Sequence, residues 1–244
     1  MKRKRLFLFG GIALLLAALG IAAFLVYTGR IPLNRPSPSR YPVRGVDVSS
    51  YQGEIDWPAL ASQDIRFAFI KATEGSSFTD GRFAYNWEEA PKAGLRVGAY
   101  HFFSYDSPGE TQAAHFIETV PAIDGMLPPV VDVEFYGDKE KNPPPAEEVR
   151  ASLSALLNAL KEHYGMKPIL YATRKSYELY IQGAFEENDI WIRSVITEPS
   201  IDRPWTFWQY SNRTVLDGYR GKERYIDMNV FQGTEEEFAR YPGE

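Results

Sequence analysis

The chain has 244 residues, of which 44% are hydrophobic and 14% aromatic, enough for one packed domain of about 200 residues. It contains no cysteine, which excludes disulfides, thiol nucleophiles and cysteine-ligated metal sites. Four of the 27 Lys and Arg residues precede residue 6, which leaves 23 against 32 Asp and Glu, a net charge of −9 that argues against nucleic acid as a partner.

The first predicted element is a membrane span. Residues 6–27 carry no charge and are long enough to cross about 30 Å of hydrocarbon as a helix. The basic cluster Lys2–Arg5 before them favours a cytoplasmic N-terminus and export of everything downstream. A cleaved signal peptide is the alternative, since both begin with basic residues and an apolar run. We favour the anchor because the apolar run is longer than a signal-peptide core of about 7–15 residues.

Three segments follow from this interpretation. Residues 1–28 are expected to form a cytoplasmic tail and a single-pass anchor that contacts the lipid bilayer through residues 6–27. Residues 29–42 contain four prolines and are expected to form an extended linker. Residues 43–244 are expected to form the folded domain outside the cytoplasm, or a secreted domain if the first segment is cleaved.

The folded domain alternates short apolar runs with amphipathic stretches. Strands are predicted at 44–50, 67–73, 96–104, 129–135, 168–173, 190–195, 206–210 and 225–230. Helices are predicted at 57–62, 83–93, 108–120, 146–164 and 174–181. This order implies parallel strands with crossover helices, and the shorter spacing after the fifth unit leaves little room for further helices. The sequence therefore predicts an α/β modified TIM-like barrel, (β/α)5β3, with functional residues at the C-terminal ends of its strands.

Two carboxylates lie near the end of the fourth predicted strand. Asp132 and Glu134 are two residues apart, so both side chains point to the same face of the strand. Like charges this close raise one pKa, which suits general acid chemistry near neutral pH. An Asp-x-Glu tripeptide alone is common, however, and is most often solvated or paired with a base.

Two further acids strengthen the prediction of a catalytic site. Asp47 lies on the first predicted strand and Asp227 on the last, which a closed barrel brings side by side. Three strands thus bring four acids to one mouth, and burying four carboxylates would be costly if they served stability alone.

The blocks around these acids resemble the family 25 glycoside hydrolases, the Chalaropsis-type lysozymes, over nearly all of residues 43–233. In chain order they are GVDVSSYQGEIDW, FIKATEGSSFTD, AGLRVGAYHFF, PPVVDVE, PILYAT, IWIRS, WQYS and IDMNVFQG. The resemblance implies a (β/α)5β3 barrel that hydrolyses the β-1,4 bond between N-acetylmuramic acid and N-acetylglucosamine in peptidoglycan, without a cofactor.

The resemblance also implies roles for the four acids. Glu134 matches the general acid/base, and Asp132 matches the carboxylate that orients the substrate's 2-acetamido group and stabilises an oxazolinium ion, which gives net retention. Asp47 and Asp227 match further acids that tune pKa values and bind sugar hydroxyls. Cα atoms at i and i+2 are about 6.6 Å apart, and rotamers leave retention or inversion open from sequence alone.

Other residues in these blocks are expected to contact sugar or to support the site. Sugar contacts are expected from the position of five side chains in the blocks, although core packing is equally expected for each aromatic: Tyr51, Tyr100, Tyr171, Trp208 and Gln209. Lys71 and Glu74 are expected either to form an ion pair or to touch substrate. His101 is expected to be a hydrogen-bonded structural residue, while His115 and His163 are expected on the surface. The three histidines lack metal-ligand spacing, which argues against a zinc hydrolase.

The sequence departs from the family pattern at two places. Asp64 stands where many members have glycine, at a predicted turn away from the mouth, and residues 192–195 lack a common small-and-aromatic pattern, so one wall of the cleft is expected to differ. Two other functions stay open at this point: a non-catalytic module that binds peptidoglycan, and a hydrolase of another amino-sugar polymer such as chitin.

Overall fold

The computed structural model describes residues 2–28 and 34–243, so residues 29–33 of the predicted linker and the two terminal residues lie outside it. Helix α1 spans Lys2–Tyr27. Within it, Phe9–Tyr27 is long and apolar enough to cross a membrane, and none of this stretch is buried against the rest of the chain. A signal sequence would meet the same description.

Within residues 2–28 and 34–243, nine strands form one sheet. Their bounds are β1 Arg44–Val48, β2 Phe67–Glu74, β3 Phe78–Thr79, β4 Arg96–Phe102, β5 Val130–Val133, β6 Ile169–Thr173, β7 Ile190–Arg193, β8 Phe207–Thr214 and β9 Ile226–Phe231. Eight of them correspond to the eight predicted strands. The additional strand, β3, is a two-residue extension that pairs with the end of β2.

Helices follow the first five barrel strands. Their bounds are α2 Trp57–Ala61, α3 Phe83–Lys92, α4 Gly109–Thr119, α5 Ala146–Tyr164 and α6 Arg174–Ser176, which continues as a π-helical turn at Tyr177–Ile181. A 3-10 turn, Ser50–Gln52, follows β1, and helix α7, Glu235–Arg240, ends the fold. The predicted fifth helix is thus one α-helical turn and one π turn, and α7 was not predicted.

The sheet closes into a barrel. The strand order is β1-β9-β8-β7-β6-β5-β4-β2, and a β1–β2 pairing completes the circle. Strand β9 is antiparallel to both of its neighbours, whereas all other barrel neighbours are parallel. The beginning of β9, not its end, therefore lies at the mouth. This arrangement confirms the predicted (β/α)5β3 barrel.

Alternation along the strands fills the barrel with aromatic rings below the mouth. The ring of Trp191 stacks on Phe69 with centroids 4.4 Å apart and meets Tyr171 edge-on at the same distance. Two neighbouring strands carry glycine where barrel rings come close. A Cβ at Gly45 would come within 2.4 Å of the Phe67 ring, and a Cβ at Gly98 would come within 2.8 Å of the Phe69 ring. The mouth therefore has an apolar, water-excluding floor.

Helix α7 closes the opposite end of the barrel. Its Phe238 is buried against Phe67 and Phe231, with ring centroids 5.5 Å and 5.2 Å apart. The Arg96 guanidinium donates to the carbonyl oxygens of Phe238 and Tyr241. A six-residue amphipathic stretch is too short for its periodicity to stand out in the sequence, which explains why α7 was not predicted.

The end of the predicted linker packs on the barrel. Tyr41 is only 5% exposed, and its ring meets those of Trp205 and Trp208 at centroid distances of 5.8 Å and 5.7 Å. Beside it, Arg40 forms a two-pronged ion pair with Glu198 at 2.9 Å and 2.7 Å. Folded structure thus begins before residue 43.

Candidate active site

A cavity of about 740 Å³ opens at the mouth of the barrel. All four predicted acids line it: Asp47 from β1, Asp132 and Glu134 from the end of β5, and Asp227 from the start of β9. The period-2 alternation places these side chains inward, while the intervening valines pack outward against the helices. The sequence-predicted convergence of acids is therefore present in the structure.

Asp132 and Glu134 form one pair of acids, at the end of β5. Burial raises the pKa of both carboxyl groups, and the charge of Glu134 adds to the rise at Asp132. Asp132 is 6% exposed, and no described residue hydrogen-bonds its Oδ1 atom. Glu134 lies just beyond the last residue of β5 and is only partly buried, so it is the carboxyl group nearer to the open side. The pair retains a proton more readily than two solvated carboxylates would.

Asp47 and Asp227 face each other across the β1–β9 pairing. The Gln209 side-chain amide bridges them, donating at 3.1 Å and 3.0 Å to the two oxygens of Asp47 and at 3.0 Å to Asp227. Asn229 adds a donor at 2.7 Å to Asp47. These neutral donors hold the two acids together but supply no positive charge, so the carboxylates still repel each other.

The aromatic floor orients both bridging amides. The Tyr171 hydroxyl donates to Gln209 Oε1 at 3.0 Å, and Trp191 Nε1 donates to Asn229 Oδ1 at 2.8 Å. Each amide oxygen is thereby satisfied, which fixes each amide nitrogen toward the acids. Asn229 was not singled out from the sequence, although it lies two residues after Asp227 on the same face of β9.

Arg193 is one of the cationic side chains that line the cavity. It ends β7, lines the cavity, and lowers the pKa of Glu134, Asp47 and Asp227 against the larger opposing effect of burial. The sequence placed it only within a wall expected to differ from the family pattern. Its position at the C-terminal end of a strand is the signal that would have identified it.

Lys71 and Glu74 form the ion pair expected from the sequence, with Nζ and Oε2 2.8 Å apart. The Lys71 ammonium also lies 4.9 Å from the centre of the Phe102 ring. Lys71 lines the cavity and lowers the pKa of Asp132, although burial and Glu134 dominate there. The pair and the ring together fix this cation at the rim.

Four of the five predicted sugar-contact residues line the cavity: Tyr51, Tyr100, Tyr171 and Gln209. Trp208 does not. It is 2% exposed, packs outward against Tyr41, and donates from Nε1 to the Ser194 carbonyl at 2.8 Å. Neighbouring residues on a strand face opposite sides, so Trp208 and Gln209 cannot both face the cavity. Trp208 is a packing residue beneath the linker end.

His101 also faces away from the cavity, because its neighbour Tyr100 faces inward. It is fully buried, accepts at Nδ1 from the Thr73 hydroxyl at 2.7 Å, and donates from Nε2 to Gln112 at 2.9 Å. Burial lowers the pKa of His101 to about 4, so the ring is neutral. In residues 2–28 and 34–243 no three His, Asp or Glu side chains are grouped to hold a metal ion.

Asp64, the departure from a common glycine, lies far from the cavity. Its φ angle is +64°, in the left-handed region that favours glycine, and Asp is among the residues that tolerate it. Its carboxylate pairs with Arg66 at 3.3 Å and Arg44 at 3.7 Å. The departure is therefore local to this turn.

The buried acids make stability depend on pH. Burial raises the pKa of Asp47 to about 6, so the folded state holds this proton more tightly than the unfolded chain, where the value is near 3.8. Its stabilising contribution is complete below about pH 4 and is lost as the pH rises through about 6. Asp47→Asn removes this titration and also relieves Asp227, whose pKa the Asp47 charge raises.

We therefore expect the free energy of unfolding of Asp47→Asn, relative to that of wild type, to increase by about 1–3 kcal/mol as the pH rises from 4 to 7. Urea denaturation of both proteins across this range measures the difference. Asp124→Asn, an exposed acid in a turn, is the matched control and should follow wild type. Parallel curves for wild type and Asp47→Asn would contradict the expectation.

Comparison with known proteins agrees with this geometry. The family model of glycosyl hydrolases family 25 matches residues 46–219. A solved family 25 glycosyl hydrolase from Bacillus anthracis is 57% identical, with a TM-score of 0.82 over 86% of this chain and 97% of that chain. The uncharacterized protein YegX of Escherichia coli O157:H7 is 37% identical over 84% of this chain and 75% of its own length. Lysozyme M1 of Streptomyces globisporus is 31% identical over 79% of this chain and 68% of its own length. The chain belongs to family 25 of the glycosyl hydrolases, as its sequence blocks predicted.

Proposed function

We propose that this protein is a lysozyme-type hydrolase that cleaves the β-1,4 bond between N-acetylmuramic acid and N-acetylglucosamine in peptidoglycan. The observation that carries the proposal is the convergence of four acids from three strands on one open cavity above an apolar floor. Membership of family 25 and the similarity to lysozyme M1 support the choice of polymer. No cofactor takes part.

Glu134 acts first as general acid. Burial raises the pKa of Glu134, which favours its protonated form, and its position above Asp132 on the open side suits contact with the glycosidic oxygen. As that proton is transferred, the bond from the anomeric carbon to the leaving oxygen breaks. The carbonyl oxygen of the substrate's own 2-acetamido group attacks the anomeric carbon and forms an oxazolinium ion.

Asp132 orients the acetamido group and stabilises this ion. Its buried Oδ1 atom has no hydrogen-bond partner among the described residues, and the acetamido N–H is a donor of the type it requires. Water then opens the ring at the anomeric carbon and gives its proton to Glu134, so the product retains the configuration of the substrate. Asp47 and Asp227 bind sugar hydroxyls, and the charge of Asp47 raises the pKa of both Asp132 and Glu134.

A binding module without activity is the weaker alternative, because recognition alone does not require four buried acids whose repulsion lowers stability. Chitin is the weaker substrate, since the similar proteins include lysozyme M1 and an N,O-diacetylmuramidase of a Chalaropsis species. The 2-acetamido group occurs in both polymers, so the reaction itself does not separate them.

Mass spectrometry of the products tests the function directly. Purified peptidoglycan treated with the full chain should yield fragments whose new reducing end is N-acetylmuramic acid, and chitin should yield about a hundredfold less product under the same conditions. New reducing ends on N-acetylglucosamine would contradict the bond assignment. Retention of the polymer on the protein with no release of reducing ends would favour the binding module.

We further propose that α1 remains attached as a single-pass membrane anchor, with the barrel outside the cytoplasm. Apolar side chains such as those of Phe9, Leu14 and Leu16 are more than 60% exposed, and lipid would remove this surface from water. An intact N-terminus on protein from the membrane fraction is expected. A mature chain that begins after residue 20 would instead indicate a cleaved signal.

A further inference from the structure

A second, basic pocket lies beside the catalytic cavity. It has a volume of about 450 Å³ and carries three cationic side chains, Arg82, Arg220 and Lys222, among small residues. Glu54 partly offsets Arg82 at 3.4 Å, whereas Arg220 and Lys222 pair with no acid in the described ranges 2–28 and 34–243. Because the protein as a whole is acidic, this local positive charge is a departure from its average surface.

The basic pocket and the catalytic cavity share a wall. Glu223 and Tyr225 line the cavity, while Arg220 and Lys222, from the same short segment, line the basic pocket. Tyr51 stands between the two, since it lines the cavity and its neighbour Ser50 lines the pocket. Segments 50–52 and 220–225 together form this wall.

This wall is fixed by backbone packing. The amide of Glu223 donates to the Tyr51 carbonyl at 3.0 Å, and Gln52 donates to the Tyr225 carbonyl at 3.2 Å. A Cβ on Gly221 would come within 2.0 Å of the Tyr51 carbonyl oxygen, so the two segments meet as closely as backbones can. The backbone that carries Arg220 and Lys222 is therefore held at a set distance from the cavity.

The opposite side of the basic pocket is equally fixed. Asp80 is 3% exposed and accepts hydrogen bonds at 2.9 Å from the backbone amides of both Ser50 and Arg82. One buried carboxylate thus ties Arg82 to the turn that carries Tyr51. The backbone around the three cations is already ordered, which lowers the entropic cost of binding an anion there.

We propose that the basic pocket binds a free carboxylate of the peptide that substitutes muramic acid, and that it makes the enzyme select peptide-bearing glycan strands. This inference rests on the proposed function. A peptide attached to a sugar in the cavity extends about 3.3–3.6 Å per residue, so a carboxylate two to four residues along can cross the wall. Charge-assisted contacts of this kind raise both affinity and selectivity.

Three substrates test the selection, with the full chain in detergent micelles. They are strands with free peptide carboxylates, the same strands with those carboxylates amidated, and strands from which the peptides have been removed. Wild type should show a kcat/KM about tenfold higher on the first than on the other two. The double variant Arg220→Gln and Lys222→Gln should lose this preference through a higher KM with kcat unchanged.

Lys161→Gln with Lys167→Gln is the matched control. Both lysines are about half exposed and pair with Glu187 away from the mouth of the barrel. Their substitution removes the same amount of positive charge as the double variant does. This control should keep the wild-type preference. An equal loss on peptide-free strands in the double variant, no preference in wild type, or a loss that persists on amidated strands would each overturn the inference. If wild type cleaves none of the three substrates, the proposed function is contradicted as well.

Discussion

Replacing Glu134 with glutamine should lower kcat on peptidoglycan strands about a thousandfold and leave KM within about threefold. Glutamine keeps the shape of the side chain but carries no transferable proton. The leaving oxygen must then depart as an alkoxide, which is the most costly step of the proposed mechanism. The variant should fold as wild type does, since it removes a partly buried carboxyl group whose pKa burial has raised.

A substrate with a better leaving group separates acid catalysis from other roles of Glu134. The leaving group of an aryl glycoside of the same sugar needs little protonation. On this substrate the kcat of Glu134→Gln should therefore fall by far less than a thousandfold. Glu140→Gln, the same change on the exposed loop that follows, should behave as wild type on both substrates. An equal loss on natural and aryl substrates would show that Glu134 is not the proton donor.

Asp132→Asn should lower kcat about a hundred- to thousandfold on both kinds of substrate. Asp132 acts on the acetamido group, not on the leaving group, so a better leaving group should not rescue the variant. Asparagine keeps the shape of the side chain but cannot carry the negative charge that stabilises the oxazolinium ion. This pattern of loss is the opposite of that expected for Glu134→Gln.

A stable thiazoline analogue of the oxazolinium ion measures the same interaction without turnover. Wild type should bind it more tightly than substrate, and Asp132→Asn should lose about a hundredfold in affinity. Calorimetry gives both values. Asp138→Asn, a nearby exposed acid, is the control and should bind the analogue as wild type does. Unchanged affinity in Asp132→Asn would contradict a role for Asp132 in stabilising the ion.

The sequence predicted the barrel well because its signal is local. Each strand is a short apolar run, each crossover helix has its own periodicity, and their alternation fixes the architecture. Period-2 alternation also placed Asp132 and Glu134 on one face before any neighbour was known. The same rule would have separated Trp208 from Gln209, so this sugar-contact prediction failed through incomplete use of local information.

Interactions between distant strands were less accessible. Arg193, Asn229 and Gln209 act on the acids from β7, β9 and β8, and only the register of the closed sheet brings them together. The basic pocket likewise depends on contact between residues 50–53 and 220–223, which lie far apart in the chain. No local pattern marks such a contact.

The sequence by itself determined the strands, the inward acids and the family, because each depends on side-chain order within one segment or one block. The tertiary structure decided which groups surround each acid, where the linker ends and which cations stand beside the cavity. Those features depend on barrel closure and strand register, which convert separation along the chain into distances of a few ångströms.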